Sequence, residues 1–454
     1  MSRESMLSNI PDYQAFLTVD ELNRALIQLS EDYPDKVTVF EAGQSRKGRP
    51  MLCAKIGIGA RNALLYGCPH PNEPIGAMMC HYLARALAED DAYRAALGYT
   101  FYIMPVSDVD GTILNEAWFK GPFTIYNYAR NFFRPSGEEQ VEWTFPIAYK
   151  GYSFNAPLPE TQALMKLIDD INPAFIYSLH NGGFGGAFWY LNRDMGPSVY
   201  DSMYAAAAHG GVPLDLGEPE MPFVINFSPA VYKMPYATDM YDFYEKFAPG
   251  NTADMMMGGD CSASYAGPET TLLVTELPYF YDARVDSKKT LDYPRKTAVL
   301  KKLDITQEHV LLLCRYYETM KPLYSSDNPF AAMLSMYMRM AGGGLESQRA
   351  FVEQDERFNE PCMESEAFSN IQMTVFYQLL NWGLMIRSAE FELSRTDNAC
   401  IAQVKAETEE ILKREATSLE KQLDYAVIPI KNLVGIQLDC GLSVLESLNG
   451  MKTN

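Results

Sequence analysis

Basic residues are scarce in this chain: 38 Lys and Arg face 58 Asp and Glu, which leaves a net charge of -20. An acidic excess of that size repels phosphate backbones and anionic headgroups, so neither nucleic acid nor a membrane surface is expected as a partner. Also missing is any run near the roughly 20 apolar residues that span a bilayer. The opening stretch MSRESMLSNIPDYQAF lacks the unbroken apolar segment of a secretory signal. The eight cysteines are scattered and form no CxxC pair, which excludes a dense disulfide framework and points to reduced thiols. A soluble, cytoplasmic location follows as the expectation. Histidine is rare too, at five residues, so each one can be weighed singly.

What is present is the composition of a folded protein, with 47% apolar and 21% charged residues over 454 positions. That length exceeds what a single core of roughly 250–300 residues holds and predicts two units. The segment VDELNRALIQLSE places apolar residues at helical spacing behind a Thr18/Glu21 capping box. Two β-rich runs around the turn QSRKGRP read as a hairpin. From there strands such as NALLYG, YTFYIMP, AFIYSLH and TLLVTEL alternate with helical stretches such as IGAMMCHYLARAL and PETQALMKLIDDI. This alternation predicts an α/β fold whose mixed, largely parallel sheet is flanked by helices. Past about residue 300 helical stretches follow one another, so we expect a catalytic domain over 1–300 and a helical domain of unknown role over 301–454.

Chemistry enters at the strand ends. In LLYGCPHPNEPIG, His70 and Glu73 stand in a short loop after an apolar strand, three residues apart. A catalytic zinc takes three protein ligands and keeps a fourth position open, and such a pair can supply two of them. His180 ends a second apolar strand, before the glycine-rich GGFGG, and Glu276 ends a third. Strand C-termini gather at one edge of such sheets, so the four groups are expected at one site. The remaining histidines, His81, His209 and His309, lie in or beside helical stretches and read as packing or surface residues.

The order and surroundings of these motifs over about residues 12–285 resemble the carboxypeptidase A-like zinc peptidases. The resemblance takes in YPDKV, GQSRKGRP, GCPHPNE, the DVDG at Asp108–Gly111, the YARNFF at Tyr128–Phe133, the SLH at Ser178–His180 and the TEL at Thr275–Leu277. It implies one zinc per chain held by His70, Glu73 and His180, with Glu276 as the general base toward a metal-activated water. It further implies that Arg130 and Asn131 grip a substrate carboxylate, a task suited to a planar guanidinium fork.

Three departures stand beside it. Ala129 replaces an Asn of the family's NRNW-like motif. Phe119 falls where the oxyanion arginine is expected, which leaves Lys120 or Arg134 to substitute. Asp254 falls where a tyrosine should close over substrate, which leaves Tyr265, Tyr241 or Tyr244, and Cys261 occupies the specificity-pocket position. The implied activity is removal of a residue from the C-terminal end of a short peptide, a muropeptide being one such peptide. Deacylation of an N-acyl amino acid is the alternative within enzymes, and an inactive binding module of the same fold is the alternative outside them. Substrate identity and oligomeric state are not legible.

Overall fold

The computed structural model describes residues 3–450 apart from Pro222 and Pro249, and the backbone alone at 340–343. Nine strands form one mixed sheet: β1 Val37–Gln44, β2 Pro50–Ile56, β3 Arg61–Tyr66, β4 Tyr99–Met104, β5 Phe175–Leu179, β6 Phe188–Leu191, β7 Asn226–Ser228, β8 Val231–Lys233 and β9 Thr271–Glu276. Their order is β1-β2-β4-β3-β5-β9-β6-β8-β7. The central strands β4, β3, β5 and β9 run parallel, and antiparallel partners flank them on both sides.

Alternation along these strands explains their continuous apolar sequence. Ala63 and Leu65 of β3 join one apolar layer, whereas Leu64 and Tyr66 join the other. Phe175 and Tyr177 of β5 split from Ile176 in the same way. A strand covered on both faces has no polar side to show, and the sequence reads accordingly.

Of the helices that cover the sheet, those at 19–32, 75–89 and 159–171 follow the expected periodicity, whereas those at 125–131 and 197–209 were not anticipated. Helix α1, Val19–Asp32, starts on the capping box in which Thr18 accepts from the Glu21 amide and Glu21 accepts from the Thr18 amide. Helix α2, Ile75–Glu89, follows the HxxE loop with Pro74 just ahead of it. Short helix α3 covers Ile125–Asn131, and α4 covers Pro159–Ile171 behind a proline in its first turn. Helix α5 spans Pro197–His209.

The division at residue 300 needs correction. Helices α6 Arg295–Met320, α7 Pro329–Gln354, α8 Thr374–Leu393 and α9 Ala399–Glu420 do succeed one another. The final helix, α10 Ile430–Leu448, instead returns to the sheet, packing on α2, α5, β5 and β9. Tyr177 of β5 donates to the Gln437 carbonyl at 2.8 Å, and Gln437 donates to the carbonyl of His180 at 3.0 Å. The helical region is thus an insert into the catalytic unit. Two small ribbons pin it: Phe280–Asp282 with Tyr425–Val427, and Thr290–Pro294 with Pro361–Met363. Residue order along the chain hid this, because a returning helix has the same period as one in a separate bundle.

Helix α8 lies very close to α3. A Cβ at Gly383 would stand 1.8 Å from the Ala129 carbonyl oxygen, backbone that cannot step aside cheaply. Gly383→Ala is therefore expected to destabilise the chain by at least ~2 kcal/mol, at or above the usual cost of overpacking. The shift of the urea midpoint measures it; an unchanged midpoint would mean that α8 is not docked on α3 in this way.

Candidate metal centre and active site

Strands β3 and β5 are neighbours and parallel, so the loops at their C-terminal ends face each other. His70 and Glu73 come from the first loop and His180 from the second, and all three are buried, at 5%, 2% and 4% exposure. His70 Nδ1 lies 3.1 and 3.2 Å from the two Glu73 oxygens. His180 Nδ1 lies 3.0 Å from Glu73 Oε2 and 3.1 Å from His70 Nδ1. One donor atom from each residue falls within 4.8 Å of the others.

Two imidazoles facing through Nδ1, with a carboxylate against both, suit a shared cation better than each other. Burial, and next the Arg134 guanidinium, lower the His70 imidazole to about 3, so the ring is neutral and able to ligate. Burial pushes the Glu73 carboxyl up, but His70 and His180 outweigh it and hold the group below the ordinary carboxylate range. The far nitrogen of His180, Nε2, sits 2.9 Å from Ser178 Oγ, which can accept its proton and leave Nδ1 for a metal. The backbone amide of Asn181 also donates to Glu73 Oε2 at 3.2 Å. This set of two imidazoles and one carboxylate fits zinc by donor type and number.

Glu276 ends β9, beside β5, and its Oε1 lies 3.8 Å from His180 Nδ1. It makes no hydrogen bond among the described residues. Burial, then the charges of Glu73 and Glu220, push its carboxyl well above the ordinary range, with Arg134 partly offsetting. A carboxyl so placed takes up a proton readily.

The four groups open onto a chamber of about 730 Å³. The insert walls one side of it: Met333, Met336, Met373 and Tyr377 line it together with Met234 and Tyr244 of the catalytic unit. Unbranched methionine side chains make an adaptable apolar lining.

Arg130 and Asn131 are not brought to this group, which corrects the assignment drawn from the motif. Arg130 of α3 points to the insert, with Nη2 2.5 Å from Glu390 of α8 and Nε 3.1 Å from Glu409 of α9. The Asn131 side chain donates to the Asn127 carbonyl, and its own carbonyl accepts from Arg387 at 2.6 Å. Acidic partners supplied by a distant segment captured the arginine, and no local pattern could have revealed them. Arg134 is the arginine that lines the chamber, with Nη2 2.9 Å from His70 Nε2 and Nη1 3.4 Å from Glu73. Lys120 instead pairs with Glu21 and the Phe16 carbonyl.

Of the tyrosines considered, Tyr244 lines the chamber, whereas Tyr265 binds Asp169 and Tyr241 packs on Tyr149. Cys261 is fully buried outside the chamber lining. Glu220 and Tyr377 were missed. Neither stands at a strand end, so the signal that found the other groups could not find them.

Comparison with known proteins agrees with the motifs. The zinc carboxypeptidase family model matches residues 22–204. Zinc carboxypeptidase A 1 of Anopheles gambiae is 29% identical over 159 residues, 32% of this chain and 34% of that one. Carboxypeptidase A6 of Mus musculus is 31% identical over 109 residues, 22% of this chain and 25% of that one. The chain thus spans between a quarter and about a third of the length of these two relatives. Among solved structures, the carboxypeptidase A of Helicoverpa armigera matches 61% of this chain and 70% of its own, at 14% identity and a TM-score of 0.36.

The position of Arg130 has a direct consequence. Arg130→Ala leaves Glu390 to Lys405 and Glu409 to Tyr126 at the edge of the insert, and the partly exposed pairs it breaks are worth about 1–2 kcal/mol together. A loss of that size in equilibrium unfolding is expected, with zinc content unchanged. Loss of a preference for free over amidated C-termini at full stability would return Arg130 to the site.

Proposed function

We propose that this relative of the carboxypeptidase A-like zinc peptidases is a zinc-dependent metallocarboxypeptidase that hydrolyses the peptide bond at the C-terminal end of a short peptide. The observation that carries the reading is the convergence of His70, Glu73 and His180 with Glu276 beside them, all opening on one chamber. A zinc ion in this donor set supplies Lewis acidity, polarising a carbonyl and making water more acidic.

The chain's own residues then have distinct tasks. Glu276 accepts the proton of the attacking water and returns it to the leaving amine, and its raised affinity for protons suits both halves of that exchange. Were a metal held on His70 Nδ1, the ring's proton would sit on Nε2 and face Arg134 donor to donor. The guanidinium is then better placed toward an anionic group in the chamber, a terminal carboxylate or the oxygen of the attacked carbonyl. A chamber of this volume admits a short substrate rather than a folded chain. An N-acyl amino acid offers the same carboxylate and the same amide to these groups.

Three outcomes are expected. The purified protein binds about one zinc per chain by atomic absorption, and a His70→Ala, His180→Ala double variant binds none; full retention by that variant sinks the site. Glu276→Gln keeps the metal and loses roughly two to four orders of magnitude in kcat, the usual share of a general base. Peptides with a free C-terminus are cleaved at least roughly thirty-fold better than their amides, and Arg134→Ala removes most of that preference, as loss of one partner of an enclosed charged pair should. Equal cleavage of acid and amide, or turnover confined to N-acyl amino acids, would withdraw the carboxypeptidase reading while leaving the metal site intact.

A further inference from the structure

Side chains two residues apart on a strand share a face. Ser178 and His180 are so spaced at the end of β5, and Ser178 Oγ lies 2.9 Å from His180 Nε2. Ser178 is also paired with Tyr66 of β3 across the sheet. The hydroxyls of both donate to one carboxylate oxygen, Glu142 Oε2, at 3.2 Å from Ser178 and 2.6 Å from Tyr66. The other oxygen, Oε1, accepts from the Ser262 amide at 3.2 Å and from the Ser262 hydroxyl at 2.9 Å. Four donors thus reach Glu142, which is 1% exposed and enters no salt bridge among the described residues.

Glu142 stands in the irregular connection between α3 and α4, and that connection is pinned on both sides of it. The Val141 carbonyl accepts from the Thr161 hydroxyl of α4 at 2.9 Å, and the Trp143 carbonyl accepts from the Gly259 amide at 2.6 Å. A buried carboxylate without a cationic partner is costly, so its presence here calls for a reason. The reason lies in how one hydroxyl divides its bonds, for Ser178 has a single proton to give. With that proton given to Glu142, the Ser178 oxygen faces His180 Nε2 as an acceptor. The ring answers it with Nε2–H, which in the neutral imidazole leaves the lone pair on Nδ1, the nitrogen 3.0 Å from Glu73 and 3.1 Å from His70. Without the carboxylate the hydroxyl is free to turn and donate to Nε2. The ring's proton would then sit on Nδ1, where it blocks a metal. A glutamine cannot replace the carboxylate in this, since half of its head group donates.

We propose that Glu142 is a positioning residue of the metal centre: acting through Ser178, it keeps the His180 imidazole with its proton on Nε2 and with Nδ1 open toward Glu73 and His70. The inference rests on the zinc reading of the site and adds to it a residue that does not itself reach the ligand atoms. The same connection carries Arg134 against His70 Nε2. One stretch of chain between α3 and α4 thus meets the far nitrogens of both rings, with an anion behind His180 and a cation behind His70.

Zinc affinity, measured by competition with a chelator, tests the relay without turnover. Ser178→Ala and Glu142→Gln should each weaken zinc binding about ten-fold or more, the usual cost of removing an outer partner of a ligand histidine. The double variant should bind within about two-fold of the weaker single one, because the second change breaks a chain already broken. Ser262→Ala removes a donor from the Glu142 oxygen that does not face Ser178, and should stay within about two-fold of the parent. A second measurement reads the bond itself. In the cobalt(II)-substituted protein the His180 N–H should give a paramagnetically shifted proton signal, kept in Ser262→Ala and lost, or exchanging faster with water, in Ser178→Ala and Glu142→Gln. Parent affinity in Ser178→Ala or Glu142→Gln, a double variant whose loss is the product of the single losses, a ten-fold loss in Ser262→Ala, or an N–H signal indifferent to both substitutions overturns the proposal. Should Glu142→Gln fail to fold, the contrast between Ser178→Ala and Ser262→Ala decides. A parent that binds no zinc fells the zinc reading and the relay with it, whereas a parent that binds zinc no better than these variants fells the relay alone. If the affinity pattern holds and no peptide is hydrolysed, the relay stands and the peptidase reading falls.

Discussion

A carboxylate 2% exposed, pressed between two buried imidazoles, is the costly object around which this protein is organised. Ionised groups are not left in protein interiors without compensation. Glu73 has the Asn181 amide and two rings whose Nδ1 atoms also face each other at 3.1 Å. A divalent cation would take all three donors at once, which is what two imidazoles and one carboxylate so placed suit. The parallel pairing of β3 with β5 is what makes the convergence possible, because it sets both loops at one edge of the sheet. Gln437 of the last helix, bound to the His180 carbonyl, holds the second loop from behind.

That last step explains why the chain must return to the sheet after the helical insert. Without α10, β5 and β9 would lose cover on one face, and the loop carrying His180 would lose a hydrogen bond to its backbone. The insert therefore sits between two parts of a single folding unit, and its docking surfaces are built from catalytic-unit motifs. The YARNFF segment shows this at three adjacent residues. Ala129 offers its carbonyl to the closely packed Gly383, Arg130 reaches Glu390 and Glu409, and Asn131 accepts from Arg387. One short helix thus trades a role at the site for a role in holding the wall of the chamber.

How much of this was legible follows from the range of the signals. Strands covered on both faces announce themselves as apolar runs, and polar residues that end or follow such runs stand out; His180 and Glu276 at strand ends, and His70 in the loop after one, were singled out that way and lie together in the structure. The capping box of α1 is likewise a four-residue signal, and it holds in the structure. Arg130 could not be placed from the sequence, because its acidic partners lie more than 250 residues away, at Glu390 and Glu409. The same distance hid the return of α10 and the arrival of Tyr377 at the chamber. Glu220 lies in an irregular connection, where neither a two-residue nor a 3.6-residue period exists to mark an inward-facing position.

The insert also changes what electrostatics can do at the site. An open cleft at the edge of an acidic protein is screened by water and salt within a Debye length of roughly 8–10 Å. Closing it with a wall of methionine and tyrosine lowers the local polarity, so each charge inside acts further and more strongly. Burial first, and then the charges of Glu73 and Glu220, hold the Glu276 carboxyl well above its ordinary range. Arg134, lining the chamber beside Lys302, becomes an attractive point for anions entering a space whose wall is otherwise negative. Selectivity in such a chamber comes from where the charges sit more than from the shape of one pocket.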